Sequence, residues 1–211
     1  MDSNRISVSF VGVFEKFLTM MPMLDGDFCK NFFQQPENTI SGFGPEGFFI
    51  RTNSRPALAV VINPQKISFI ATDNESLYSY IATIKQKFLE IGFENRYSAL
   101  GLNYEYEWTN LDKDSPNWLW NHFINSDLHI GDKPHTCHKL ALRTVINDTN
   151  FIYTEIEPRA GIANGIFAMI NHHMQQKMDS LPDRKTLASL YEQSTSVLET
   201  MFFPNIIEKA E

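Results

Sequence analysis

The stretch DNESLYSYIATIKQKFLEIGFENRYSALGLNYEYEW, residues 73–108, decides how the chain is read. Asp73 or Asn74 offers a side-chain oxygen to the free amides of a helix start. Leu77, Ile81, Ile84, Phe88 and Ile91 then recur at steps of four, three, four and three, which draws one apolar face on a helix. Gly92 ends it, as a residue in the left-handed conformation does. From Tyr97 the period changes from helical to two. Leu100, Leu102, Tyr104, Tyr106 and Trp108 fall on one face of a strand, with Asn103, Glu105 and Glu107 on the other. A one-sided helix beside a one-sided strand predicts an antiparallel sheet with helices packed on one face, an α+β architecture.

The pattern extends in both directions. Upstream, residues 6–14 alternate as a strand. Residues 15–33 read as a helix broken near Pro22 and Gly26. GFGPEG (residues 42–47) reads as a turn, and strands follow at 48–52, 57–62 and 66–72, separated by the turn sequences SRP and NPQ. Downstream, Pro116 opens a short aromatic helix over 117–124. Strands follow at 139–146, 151–157 and 166–171, and a helix closes the chain over about 182–203. The face of that last helix is Leu187, Leu190, Ser194, Val197 and Met201. Both halves therefore run strand, helix, several strands, long helix. No linker composition separates them, so the reading is a single domain over 1–211 built of two pseudo-repeats, about 1–95 and 96–211.

The 139–146 and 151–157 strands predict a hairpin around residues 147–150. Burial selects the register that puts Leu140, Leu142 and Ile146 on one face with Ile152 and Ile156, because a slip of one residue turns every side chain over. That register places Arg143 opposite Glu155, on an outer face with Tyr153 and Glu157, and it requires a bulge or an odd-length turn.

Seventeen Phe, seven Tyr and three Trp supply enough apolar surface for a core that needs no disulfide or metal. The net charge of −7, with no Lys/Arg block, disfavours nucleic acid as a partner. Two cysteines, Cys29 and Cys137, form no secreted disulfide framework. No run of 18 apolar residues predicts a membrane span, and the first ten residues carry no signal-peptide pattern, so the expected location is cytoplasmic.

The element order resembles the duplicated, saddle-shaped fold of the TATA-binding protein family; that resemblance implies architecture alone. GLNYEY (residues 101–106), YTEIEP (153–158) and FFPNII (202–207) are similar to a sporadically distributed, uncharacterised family of prokaryotic proteins of similar length. The resemblance implies a prokaryotic or phage origin and no particular activity.

Several groups of residues have the chemistry for a site. All six histidines lie between residues 122 and 173. His129, Asp132, His135, Cys137 and His138 share one loop, and His172 with His173 ends a strand. Imidazole, thiolate and carboxylate together suit zinc or another divalent metal, although H-x5-H-x-C-H matches no standard zinc spacing. On a strand His172 and His173 point to opposite faces, so one of them at most joins such a cluster. Cys137 beside His135 and His138 has the ingredients of a nucleophile and base, but residues so close in sequence rarely reach triad geometry. Glu105 with Glu107, and Glu155 with Glu157, project from one face of their strands. They are either a solvated surface or, if the pairs converge, a site for a cation or for acid–base work. Arg159, in the loop PRAGIANG, has the charge to hold an anion. Trp118 and Trp120, with Trp108 and Phe123, are either core or a contact surface. No nucleotide loop, GxSxG or HExxH motif is present.

The reading that follows is a non-enzymatic interaction protein acting on a protein partner through an aromatic and acidic surface comprising Trp118, Trp120, Arg143, Tyr153, Glu155, Glu157 and Arg159. A homo-oligomer is compatible with it. The alternative is a metal-dependent hydrolase using His129, His135, Cys137, His138 and His172. A weaker alternative is nucleic-acid binding on the sheet face.

Overall fold

The computed structural model describes the backbone of residues 2–124 and 135–201 and the side chains of residues 5–124 and 135–196. The element order is β1 (Asp2–Phe14), α1 (Gly26–Asn31), β2 (Thr39–Gly44), β3 (Gly47–Thr52), β4 (Ala59–Ile62), β5 (Lys66–Ala71), α2 (Asn74–Glu90), β6 (Tyr97–Thr109), α3 (Ser115–Phe123), β7 (Leu140–Asn147), β8 (Asn150–Pro158), β9 (Ile166–Met174) and α4 (Arg184–Met201). The nine strands form one sheet in the order β2-β3-β4-β5-β1-β6-β9-β8-β7, and every pairing is antiparallel. The long strands β1 and β6 lie at its centre. Outward from them run β5, β4, β3 and β2 on one side and β9, β8 and β7 on the other.

The elements follow from local chemistry. At the head of α2 the Ser76 amide donates to the Asp73 carboxylate at 2.8 Å. At its end Gly92 takes φ +67°, a conformation that favours glycine. Leu77, Ile81, Ile84 and Phe88 are buried against the sheet. Ile91 departs from the expected face: it is the C-terminal cap and is 38% exposed, because the helix has already unwound there. In α4, Leu187, Leu190 and Ser194 are buried as expected, while the side chains of Val197 and Met201 lie outside the described residues.

Three local expectations change. Residues 42–47 are mostly strand, since β2 and β3 pair through Gly44 and Gly47 and leave two residues for the turn. The unbranched glycines of β2 hid its alternation. Within 15–33 only Gly26–Asn31 is helical, capped by Asp25, whose carboxylate accepts from the Phe28 amide at 2.7 Å. In the β7–β8 hairpin, Leu140, Leu142 and Thr144 share the inner face with Ile156, Thr154 and Ile152, as burial demands. A register shift between Val145 and Asn147 supplies the expected irregularity. The pairing lies two residues from the expected one, so Arg143 stands opposite Tyr153 and Ala141 faces Glu155; Ile146 falls in the shift and is 42% exposed instead of lying on the inner face.

Pairing registers and burial together show two unlike faces. Val8, Phe10, Ile67, Phe69, Leu102, Tyr104, Trp108, Ile166, Ile170 and Ile152 point to one side and join the helices in one core. Each fully buried Leu or Ile there stabilises the fold by roughly 1.5–3 kcal/mol. The alternate residues point the other way, and no described helix covers them.

Candidate interaction face

Cross-strand registers line up the open face row by row. One row runs Phe49, Val61, Ser68, Val11, Gly101, His173, Phe151 and Val145 across eight strands. The next includes Ile70, Ser9, Asn103, Asn171, Tyr153 and Arg143. In the following two, Glu105 and Glu155 flank Met169, and Glu107 and Glu157 flank Phe167. The two acidic pairs therefore do share one face. They stand two strands apart, about 10 Å between backbones, which is too far for two carboxylates to share a proton.

The side chains on this face hold one another. The Arg143 guanidinium sits 4.3 Å from the centre of the Phe151 ring, and that ring lies 4.8 Å from the imidazole of His173. Lys139 pairs with Glu155 at 2.8 Å, and this contact keeps the Lys139 ammonium charged to higher pH than usual. Arg159 pairs with Glu107 at 3.1 Å, so its charge is already engaged. The Ser7 hydroxyl donates to Glu105 at 2.8 Å, and the Asn103 amide donates to the Ser9 hydroxyl at 3.1 Å. Tyr153 stands 41% exposed beside Arg143.

The structure thus brings together Arg143, Tyr153, Glu155, Glu157 and Arg159. It separates the tryptophans from them. Trp118 belongs to the core, stacked on His122 at 3.9 Å between ring centres, and Trp120 is half-buried, packed against the core and 5.1 Å from the His135 ring. The missed members of the face are Ser7, Ser9, Phe151 and Phe167. Their period-two alternation marked a side of the sheet without saying which strands would be neighbours.

The metal candidates are dispersed as far as they are described. His129 and Asp132 lie outside the described residues. The Cys137 thiol is buried and donates to the Lys139 carbonyl at 3.5 Å, while the exposed His138 meets the Thr136 hydroxyl at 3.3 Å. His172 stands on the opposite, buried side of the sheet. Its Nδ1 lies 2.7 Å from the Ser194 hydroxyl and its Nε2 lies 2.6 Å from Asn150 Oδ1. Burial pushes the pKa of this imidazole down. Both ring nitrogens are occupied in joining α4 to β8 and β9, so His172 does not join the loop cysteine and histidines. Burial raises the Cys29 thiol, the opposite of what a nucleophile needs. Among the described residues, no three His, Cys, Asp or Glu side chains are grouped to hold a metal ion, and no helix is long and apolar enough to cross a membrane.

No protein-family model matches the chain, and no curated protein matches it.

Proposed function

We propose that this chain is a non-enzymatic interaction protein of prokaryotic or phage type that binds a protein partner across the open face of its sheet. The observation that carries this reading is the Arg143–Phe151–His173 stack with Tyr153 beside it, on the side that no described helix covers. Arg and Tyr dominate the energetics of protein interfaces, and here both are held in place by neighbours, which lowers the ordering cost of binding. Glu155 and Glu157 supply an acidic rim. Four carboxylates around β6, β8 and β9 weigh against a phosphate backbone on the same surface.

Affinity capture with the tagged chain tests this. The double variant Arg143→Ala/Tyr153→Ala should lose a partner that the parent retains, at unchanged folding stability. Equal capture by both proteins would reject the open face. The rival metal-dependent hydrolase draws no support from His172, which is spent inside the core; stoichiometric zinc in tag-free protein, lost on His135→Ala or His138→Ala, would restore it.

A further inference from the structure

A second region has the form of a small-molecule site. Three segments distant in sequence enclose a cleft of about 1030 Å³: the chain after β1, the end of α2 with the loop into β6, and residues 179–181. That volume is at the upper end of ordinary ligand sites. Its floor is the buried Phe88, Tyr97 and Leu181. Phe17, Met20 and Leu89 on its walls are 66%, 77% and 67% exposed, an unusual concentration of apolar side chains in water.

Three acidic and three basic side chains line the cleft, and ion pairs engage more of the carboxylates than of the ammonium groups. Two of its carboxylates are neutralised, Glu15 by Lys177 at 3.0 Å and Asp179 by Arg96 at 3.3 Å; Glu94 is exposed. Lys85 is half-buried, and its ammonium donates to the Leu181 carbonyl at 2.8 Å but forms no ion pair with any described carboxylate. Lys16 also lines the cleft without an ion pair. The Asn95 side-chain nitrogen is buried and has no hydrogen-bond partner.

We propose that this cleft binds a small amphipathic carboxylate, with its acyl chain against Phe17, Met20 and Leu89 and its head group accepting from Lys85. The site is distinct from the open sheet face and does not depend on the reading given to it. Apolar walls with a small number of polar groups are the usual composition of such a site. The carboxylate gives the Lys85 ammonium the charged acceptor that it lacks.

Calorimetric titration with decanoate tests the proposal, with decan-1-ol and decyltrimethylammonium as matched chains lacking the negative head. Decanoate should bind at one equivalent and both controls at least about tenfold more weakly, the loss expected for a charge-assisted contact. Lys85→Gln should weaken decanoate by a similar factor. Leu89→Glu, at an exposed position that folding tolerates, should abolish binding. Urea midpoints equal to that of the parent establish that each variant is folded. No decanoate binding, equal binding of the cationic chain, or unchanged affinity in Leu89→Glu would overturn the proposal. Binding confined to anionic vesicles would also overturn it, since a membrane surface would then be the occupant.

Discussion

The two faces of β9 are made from one nine-residue segment and have opposite physics. Ile166, Ala168, Ile170, His172 and Met174 are buried under the helices, whereas Phe167, Met169, Asn171 and His173 are half-buried on the open side. The adjacent histidines make the contrast sharpest. His172 is enclosed, its nitrogens held by Ser194 and Asn150, while His173 rests against the Phe151 ring. Burial holds the first face together. The second is organised by cross-strand pairs of side chains that water already solvates, so it can be altered without unfolding the chain. That freedom is what a surface used for recognition requires.

The largest expected effect tests the covered face. Ile84→Ala removes a fully buried side chain from between α2 and the sheet and should cost about 2–5 kcal/mol in urea unfolding. Leu89→Ala on the same helix, at an exposed position, should cost under about 0.5 kcal/mol. Similar losses at the two sites would erase the distinction between covered and uncovered surfaces.

The histidine pair gives the next test. The folded pKa of His172 lies below its ordinary value of 6.5, with desolvation as the main cause and the neighbouring His173 adding to it, while the Leu190 carbonyl opposes it. Below pH 6.5 the unfolded chain takes up a proton that the folded chain refuses. The stabilising contribution of neutral His172 is therefore complete above that pH and is lost as pH falls toward the folded pKa. The slope cannot exceed about 1.4 kcal/mol per pH unit from this one group. Urea midpoints between pH 8 and pH 4.5 should show the loss in the parent, a clearly reduced slope in His172→Gln, and only a small reduction in His173→Gln, which removes a minor cause of the shift. A larger reduction in His173→Gln than in His172→Gln would mean that the two faces had been exchanged.

How much of this was legible in the sequence follows the same division. The helix at Leu77–Ile81–Ile84–Phe88 and the strand through Leu102 and Tyr104 announced themselves because a face buried on one side imposes a period. β2 did not, since Gly42 and Gly44 carry no side chain to alternate. The acidic pairs could be placed on strand faces, but only the β6-β9-β8 order shows that they share a face and straddle Met169 and Phe167. The cleft was wholly illegible. Phe17, Leu89, Asn95 and Leu181 belong to segments that meet only in three dimensions, and no local pattern encodes that meeting.

The smallest expected effect examines the register of the outer hairpin. Sequence alternation alone puts Arg143 across from Glu155. The observed register lies two residues away, puts Ala141 in that place and lets Lys139 reach Glu155 at 2.8 Å. Arg143 turns to the Phe151 ring. A double-mutant cycle on Lys139→Ala and Glu155→Ala should therefore give a coupling of no more than about 1 kcal/mol, because the lysine is half exposed and water screens the pair. The coupling should shrink further at 1 M salt, where the screening length falls to about 3 Å. The matching cycle on Arg143→Ala and Glu155→Ala should give a value near zero at either salt concentration. A larger coupling for Arg143 than for Lys139 would mean that the hairpin pairs two residues away from the observed register, with Arg143 opposite Glu155. Arg143 would then be drawn off the Phe151 ring, and the open face would lose the stack on which its reading as an interaction surface rests.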